Sequence, residues 1–342
     1  MHSLKIEYQL SVSPKNKIQI ISEDSSDKIK RLSRSIGIES KFVCQKGELF
    51  SDLAKKGMDY LFDNNLYKAN DFDGIIVVTQ SPDYIIPGTA VLLQDRCGLN
   101  KNILAYDINL GCSGYPYALH VGYGHLLSGM KRILLVVGDQ SYSPGTTDDG
   151  HNVLFGDGCS ITAISVDQDF DHEYHFIPGT DGGGYESLYI PYGGKKNPIN
   201  AEALKPKLDH LGVMRTGTDV ILDGPNILTF SVGTVPGELK KMQELTGWGE
   251  QVDYYFLHQA NKMINSTIMK KMKGSNDQFP ESLSDHGNTS SASIPITMTA
   301  RGSGKWNKAG TKNILCGFGI GLSWATLSYK ASGDEISNHI YV

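Results

Sequence analysis

The chain of 342 residues has an ordinary composition for a globular protein, with 39% hydrophobic and 20% charged residues. Its net charge of -5 leaves no basic excess to neutralise a phosphate backbone, which argues against general nucleic-acid binding. Five scattered cysteines without a C-x-x-C pair indicate neither a disulfide framework nor a zinc site. No run of about 18 apolar residues predicts a membrane span. We therefore expect a cytoplasmic protein with reduced thiols, no metal and no membrane partner.

Short apolar runs rich in Ile and Val alternate with helical periodicity along the chain. Such runs are typical of strands buried on both faces between helices. In chain order the predicted strands are FDGIIVVTQ (72–80), NILAYDIN (102–109), RILLVVGDQ (132–140), CSITAISV (159–166), VDYYFLHQ (252–259) and NILCGFGIG (313–321). Periodic apolar residues predict helices over 117–130 and 261–273. The predicted fold class is α/β.

The strand-forming runs repeat weakly at a spacing of about 180 residues, which predicts a duplicated unit. FDGIIVVTQ resembles VDYYFLHQ, RILLVVGDQ resembles NILCGFGIG, and the run before Cys112 resembles the segment before Asn288. A polar stretch without core periodicity separates the two copies. We therefore expect an N-terminal half of residues 1–170 and a C-terminal half of residues 171–342.

Cys112 lies between Gly111 and Ser113, in a tight turn that joins a predicted strand to a predicted helix. Unpaired N–H groups and the helix dipole favour thiolate over thiol at a helix N-terminus, so Cys112 is a candidate nucleophile. A cysteine flanked by small residues is more often a compact core residue. This stretch alone leaves both interpretations open.

His258 and Asn288 are the next candidate functional residues. His258 ends an apolar strand, and Asn288 lies in a Gly/Ser/Thr-rich turn at the junction of an extended run and a helix. Ligands gather at the carboxyl ends of strands in open α/β sheets, so both residues could converge with Cys112 at one face. Each also has a structural interpretation, because such residues commonly bond neighbouring backbone groups.

Four ordered motifs resemble the signatures of the thiolase superfamily, and most closely those of the 3-oxoacyl-acyl-carrier-protein synthase III family. The motifs are GCSG (111–114), LHQAN (257–261), HGNTSSASIP (286–295) and GFGIGLSW (317–324). SIGIES, IIPGTAVLLQ and FGDGCS also fit, so the resemblance covers nearly the whole chain. It implies a thiolase-like, five-layered α/β/α/β/α fold of two similar halves and a homodimer.

The resemblance implies acyl transfer followed by decarboxylative Claisen condensation. Cys112 would take an acyl group from a thioester of coenzyme A or an acyl carrier protein, and the N–H groups of Cys112 and Ile320 would form the oxyanion hole. His258 and Asn288 would donate hydrogen bonds to the oxygen of a malonyl thioester, where enolate charge develops. An amide donates where a carboxylate only accepts, so Asn288 favours condensation over hydrolysis. No cofactor is implied beyond these thioester substrates.

Further residues match family positions for substrate and carrier binding. Ile86 matches a position that limits the acyl pocket, often from the partner subunit, and a dimer contact is its alternative interpretation. A group of lysines is a candidate docking surface for an acidic carrier protein, although an ordinary solvated helix face has the same pattern. These lysines are Lys262, Lys270, Lys271 and Lys273.

The chain departs from the family pattern where coenzyme A and the carrier protein bind. Arg31 and Asp149 stand where members commonly clamp adenine between a Trp and an Arg, and Asp149 is expected to repel the phosphates. Met263 stands where an Arg contacts the carrier. These departures suggest, as a hypothesis, a divergent member that serves a surface-glycan, modified-sugar or secondary-metabolite pathway.

Two other functions remain open at this stage. One is an acyltransferase that uses Cys112 without decarboxylating malonyl groups, and release of carbon dioxide separates the two reactions. The other is a non-catalytic partner subunit of a homologous synthase, which acyl labelling of Cys112 would exclude. A cysteine hydrolase is disfavoured because Leu110 occupies the first glycine position of a nucleophile elbow.

Overall fold

A computed structural model describes residues 3–141, 148–167 and 174–342. The strands are β1 (Ser3–Ser13), β2 (Lys17–Gln19), β3 (Ser40–Phe42), β4 (Gly74–Val78), β5 (Leu104–Ile108), β6 (Ile133–Asp139), β7 (Gly158–Asp167), β8 (Phe176–Thr180), β9 (Leu188–Tyr189), β10 (Lys207–Leu208), β11 (Met214–Arg215), β12 (Ile221–Leu222), β13 (Tyr254–Leu257), β14 (Lys312–Gly319), β15 (Ser323–Lys330) and β16 (Ile336–Tyr341). The helices are α1 (Asp27–Ile36), α2 (Phe50–Asp63), α3 (Thr89–Arg96), α4 (Gly114–Leu127), α5 (Asp149–Leu154), α6 (Gly224–Leu245), α7 (Lys262–Lys271), α8 (Leu283–His286) and α9 (Ser293–Arg301).

Two larger sheets contain the predicted strands. The first has the order β16-β1-β7-β6-β4-β5 and the second has the order β13-β14-β15-β8. In the first, β4 and β6 are parallel while β6, β7 and β1 alternate in direction. In the second, β13 and β14 are parallel while β14, β15 and β8 alternate. Both sheets therefore contain the same succession of strand directions, as expected of two similar halves.

Helices cover the sheets in alternating layers. α4 and α9 lie between the sheets and contact strands of both, α2 and α3 cover the outer face of the first sheet, and α6 covers that of the second with α7 against it. Fully buried Tyr115, Met298 and Trp306 contribute to the core around the middle layer. The five-layered α/β/α/β/α prediction is thus confirmed. Among the helices of the described residues, none is both long and apolar enough to cross a bilayer.

Two observations bear on the predicted division of the chain into halves. Its boundary between residues 170 and 171 lies outside the described residues, so it stays a prediction. The last strand, β16, pairs with β1 in the first sheet. A strand from the predicted C-terminal half therefore belongs to the sheet that otherwise comes from the N-terminal half.

Both predicted helices form with shifted ends. α4 begins three residues earlier than expected, because Pro116 lies in the first turn, where a missing N–H costs no helical hydrogen bond. α7 begins after Asn261, whose side-chain oxygen accepts the N–H of Ile264 at 2.9 Å and so caps the helix.

The extended run expected before Asn288 is wrong. That segment is the short helix α8, which ends at Gly287 with a left-handed φ of 70°. Ser282 and Asp285 favour a helical turn there over a strand, and a glycine at positive φ ends it. Two of the three sequence repeats correspond to pairs of equivalent strands, β4 with β13 and β6 with β14. The third does not, because a strand precedes Cys112 and a helix precedes Asn288.

Gly138, which lies tightly against a neighbouring strand, and Gly124, which has open space around it, provide a test of the packing. A Cβ on Gly138 would lie 2.3 Å from the carbonyl oxygen of Gly158 on the neighbouring strand, whereas a Cβ on Gly124 in α4 meets no atom within 4 Å. Gly138→Ala should lower the free energy of unfolding by about 1–3 kcal/mol through overpacking. Gly124→Ala should raise it by about 0.5–1 kcal/mol because alanine loses less entropy in a helix. Urea denaturation of both variants checks the two signs, and equal effects would contradict this account.

Candidate active site

Cys112 lies in the turn between β5 and α4, where the end of β14 passes at short distance. A Cβ placed on Gly319 would be 3.0 Å from Sγ of Cys112, and one on Gly317 would be 2.8 Å from the Cys112 carbonyl oxygen. The adjacent hydroxyls of Ser113 and Ser323 are hydrogen-bonded at 2.7 Å. Only residues without a side chain admit this contact, which explains the glycines of the GFGIG segment.

The backbone N–H groups of Ile320 and Cys112 and the hydroxyl of Ser290 favour the thiolate form of Cys112 and so act to lower its pKa. Burial nevertheless raises the pKa of Cys112 to about 12; the Ile320 N–H opposes this rise and the carboxylate of Asp139 adds to it. The expectation that the helix N-terminus yields a resting thiolate is therefore wrong. Desolvation outweighs the dipole, and the resting group is a neutral thiol.

His258 follows β13 and is buried, with only 2% of its surface exposed. Its Nδ1 lies 2.7 Å from Oγ of Ser293, and that oxygen also accepts the N–H of Gln259 at 3.3 Å. A ring whose Nδ1 accepts the Ser293 proton carries its own proton on Nε2. Burial lowers the pKa of His258 to about 3. The imidazole is therefore neutral at physiological pH.

The side-chain amide of Asn288 is held in one orientation. Its Oδ1 accepts the N–H of Ser290 at 2.9 Å, and its backbone N–H donates to the carbonyl of Leu154 at 2.9 Å. Its Nδ2 consequently lies 3.5 Å from Nε2 of His258 and 3.5 Å from the carbonyl oxygen of Ala260. The structure therefore brings His258 and Asn288 together with their N–H donors side by side.

Ser290 is a residue of the site that the sequence analysis did not single out. Its N–H donates to Oδ1 of Asn288 at 2.9 Å, and it lines the same cavity as Cys112. Its φ of 51° lies in the left-handed region, which is uncommon for a serine. The only signal in the sequence is its position two residues after Asn288, since residue type does not reveal the backbone conformation.

A cavity of about 620 Å³ leads to the sulfur of Cys112. Its walls combine polar groups, among them Gln80 and Asp139, with apolar ones such as Leu188 and Val220. Ser290 also lines it, and His258 and Asn288 are both buried. A concave, mostly preformed space of this size suits a thioester arm with a short or medium acyl group.

Ile86 does not line the cavity of its own chain. It is 83% exposed, and its neighbour Ile85 is 90% exposed. A side chain directed away from its own cavity can limit an acyl pocket only across a subunit interface. The two interpretations of Ile86, pocket wall and dimer contact, therefore require the same partner.

The candidate docking lysines lie at the surface of α7 and directly after it. Lys262, Lys270 and Lys273 are all exposed. The stem of Lys262 packs against Gly37 at the end of α1, where an added Cβ would lie 2.5 Å from Cβ of Lys262. This contact places the start of α7 beside α1.

The two positions of the expected adenine clamp lie on neighbouring helices, α1 and α5. Asp149 forms an ion pair with Lys28 at 2.7 Å, and both side chains are substantially exposed. Arg31 is exposed and donates from Nε to the carbonyl oxygen of Asp27 at 3.3 Å. Lys28 therefore partly offsets the negative charge expected to repel phosphates, although an exposed pair of this kind is weak.

Comparison with known proteins decides the family. Residues 106–182 match 3-oxoacyl-[acyl-carrier-protein] synthase III, and residues 245–331 match its C-terminal family. The beta-ketoacyl-[acyl-carrier-protein] synthase III of Streptococcus agalactiae is 33% identical over 323 residues, or 92% of this chain and 93% of the relative. That of Clostridium novyi is 32% identical over 334 residues, or 95% of this chain and 98% of the relative. The chain belongs to the 3-oxoacyl-acyl-carrier-protein synthase III family.

A solved structure agrees with this membership. The 3-oxoacyl-(acyl-carrier protein) synthase of Burkholderia xenovorans superposes with a TM-score of 0.90 at 30% identity, over 99% of this chain and 97% of that one. The predicted family, its thiolase-like fold and its place among the condensing acyltransferases of fatty-acid biosynthesis are thereby confirmed. Membership implies carrier-protein or coenzyme A thioesters as substrates.

The neutral state of Cys112 predicts a distinctive alkylation profile. With a pKa of about 12, the thiolate fraction is small at neutral pH and grows with pH. The rate of Cys112 alkylation by iodoacetamide should therefore rise about tenfold per pH unit from about pH 7 to 10, without a plateau. Mass spectrometry of the peptide that contains Cys112 measures the rate, with Cys112→Ser as the blank. A plateau below about pH 8 would instead indicate a thiol activated at rest.

Proposed function

We propose that the chain catalyses decarboxylative condensation of a Cys112-bound acyl group with a malonyl thioester, as a beta-ketoacyl synthase III. The observation that carries this proposal is the pair of neutral N–H donors, Nε2 of His258 and Nδ2 of Asn288, 3.5 Å apart beside the nucleophile. Two such donors can stabilise an enolate oxygen, and neither is a base for activating water or an alcohol.

In the proposed first step, Sγ of Cys112 attacks the carbonyl carbon of the acyl thioester. The new S–C bond forms as the carbon–sulfur bond to the carrier breaks, and the proton of the Cys112 thiol passes to the leaving thiolate. The oxyanion that develops in between is stabilised by the N–H groups of Cys112 and Ile320, both of which reach the sulfur region. The step exchanges one thioester for another and needs no net proton donor.

In the proposed second step, a malonyl thioester enters beside the acylated Cys112. Its terminal carboxylate leaves as carbon dioxide, and the bonding electrons move into the enolate, whose oxygen accepts the N–H groups of His258 and Asn288. The enolate carbon then attacks the acyl carbonyl carbon. The bond to Sγ breaks, and the thiolate of Cys112 takes up a proton from solvent, which is the one proton that the overall reaction consumes.

We place the carrier protein at the basic surface formed by Lys262, Lys270 and Lys273. Positive charge at the start of α7 and near its end complements an acidic carrier on a chain whose net charge is -5. The cavity would then receive the thioester arm and guide it to Cys112. The predicted cytoplasmic location belongs to the same proposal.

We also infer a homodimer that buries the exposed segment from Tyr84 to Ile86. Three consecutive large apolar side chains are 61%, 90% and 83% exposed in a single chain, which favours an interface over solvent. In such a dimer Ile86 would wall the acyl pocket of the partner subunit.

Asn288→Asp tests the condensation chemistry. The substitution keeps the shape of the side chain but replaces an N–H donor by an acceptor next to Nε2 of His258. Condensation and release of carbon dioxide from malonyl thioester should fall about 100- to 1000-fold, as for loss of an oxyanion donor. Acylation of Cys112, followed by intact mass, should stay within about threefold because that step uses other donors.

The matched control for this substitution is Asn102→Asp, which introduces the same charge at an exposed site. It should leave both steps unchanged. A wild-type protein that acylates Cys112 yet releases no carbon dioxide would favour the alternative acyltransferase. Absence of acylation at Cys112 would favour the non-catalytic partner subunit.

Ile85→Asp tests the proposed dimer. A charge at the most exposed residue of the apolar segment should shift the protein from dimer to monomer, measured by light scattering coupled to size exclusion. Leu208→Asp is the control, since Leu208 is also strongly exposed, at 68%, but lies on β10 outside the segment. A monomeric wild type, or an Ile85→Asp variant that stays dimeric, would contradict the proposed interface.

A further inference from the structure

Asp139 is a buried carboxylate that the proposed mechanism does not use. It ends β6 and is 2% exposed, although it borders the cavity that leads to Cys112. A buried charged group is costly unless it is fully hydrogen-bonded, so its partners indicate what it does.

One set of partners lies in the segment that follows β4. Oδ1 of Asp139 accepts the Thr79 hydroxyl at 3.0 Å, the Gln80 N–H at 2.6 Å and the Ser81 hydroxyl at 3.3 Å. These bonds join the ends of two parallel strands, β4 and β6. Taken alone, they would make Asp139 a structural residue of the first sheet.

A further partner lies in the segment that follows Asn288. Oδ2 of Asp139 accepts the hydroxyl of Ser291, the residue that follows Ser290, at 3.3 Å. Every one of these partners is a donor, which matches the acceptor-only character of an ionised carboxylate. Asp139 therefore connects the end of β6 to the segment that follows Asn288.

The segment held by Asp139 is the strained part of the site. Ser290 has a φ of 51°, and a non-glycine residue in this region persists only where its surroundings over-determine it. In this conformation its N–H donates to Oδ1 of Asn288 at 2.9 Å. Loss of the conformation would free the amide of Asn288 to rotate.

We propose that Asp139 is a positioning residue whose carboxylate holds Ser291 and thereby keeps its neighbour Ser290 in the left-handed conformation that orients the amide of Asn288. It acts through Ser291 and touches neither substrate nor the reacting atoms in this role. The inference rests on the proposed function for its kinetic readout, but its structural consequence can be measured without turnover.

A double-mutant cycle tests whether Asp139 acts through Ser291. Asp139→Asn and Ser291→Ala should each lower kcat about 10- to 100-fold with KM within about threefold, because a misplaced catalytic group affects the transition state most. The double variant should lose no more than the more impaired single variant, since both changes remove one constraint. Losses that multiply, or an Asp139→Asn variant with wild-type kcat, would overturn the proposal.

Glu335→Gln is the matched control for removal of a buried carboxylate. Glu335 is buried, accepts the hydroxyl of Tyr329 at 2.6 Å and the N–H of Ser332 at 2.7 Å, and does not border the cavity. Its substitution should leave kcat unchanged. An equal loss of kcat in Glu335→Gln and Asp139→Asn would assign both effects to general destabilisation and overturn the proposal.

A second comparison does not depend on whether Asp139→Asn folds. Ser290→Gly and Ser290→Ala both remove the hydroxyl of residue 290, but glycine adopts a positive φ without strain. Ser290→Gly should therefore retain more kcat than Ser290→Ala. Equal activities, or a more active alanine variant, would show that the conformation of residue 290 is not what matters.

Hydrogen exchange separates failure of this inference from failure of the proposed function. A peptide spanning residues 286–295 should exchange faster in Asp139→Asn than in wild type, and at the wild-type rate in Glu335→Gln. If wild type does not condense substrates but the exchange result holds, the proposed function fails and the positioning role stands. Unchanged exchange in Asp139→Asn overturns the positioning role whatever the activity.

Discussion

The close approach of the end of β14 to Cys112 is the constraint on which the rest of the site depends. Gly317 and Gly319 let the backbone of the second sheet lie directly against a residue that follows the first sheet. The approach brings the N–H of Ile320 to the sulfur and at the same time excludes water from it. The packing that supplies the hydrogen-bond donors is thus the packing that desolvates the thiol.

Desolvation leaves the site without charge on its three central groups. It raises the pKa of Cys112 to about 12 and lowers that of His258 to about 3, and the amide of Asn288 does not titrate. Neutral N–H dipoles act mainly on negative charge as it forms, and interactions that strengthen only in the transition state accelerate a reaction. An imidazolium at His258 would also stabilise the carboxylate of the malonyl group before it leaves, which would contribute less to the rate.

The sequence predicts the fold and the identity of the site residues better than it predicts their protonation states and backbone conformations. Buried strands appear as continuous apolar runs, and four ordered motifs indicate Cys112, His258 and Asn288, which the structure places around Ser290. The thiolate expected at Cys112 fails because desolvation depends on how closely β14 approaches, which no local pattern reports. The helix before Asn288 and the positive φ of Ser290 are missed because both are imposed by tertiary contacts.

The site is assembled from elements that are distant in sequence, so its precision depends on bonds between them. Cys112 follows a strand of the first sheet, His258 follows a strand of the second, and Asn288 precedes the middle-layer helix α9. A displacement of about 1 Å between such groups can lower a rate about 100-fold. Ser290 holds Asn288 through its N–H, and Asp139 joins the neighbouring Ser291 to the first sheet. A strained residue is tolerated there because this many contacts, from separate layers, fix one conformation that local preference alone would not select.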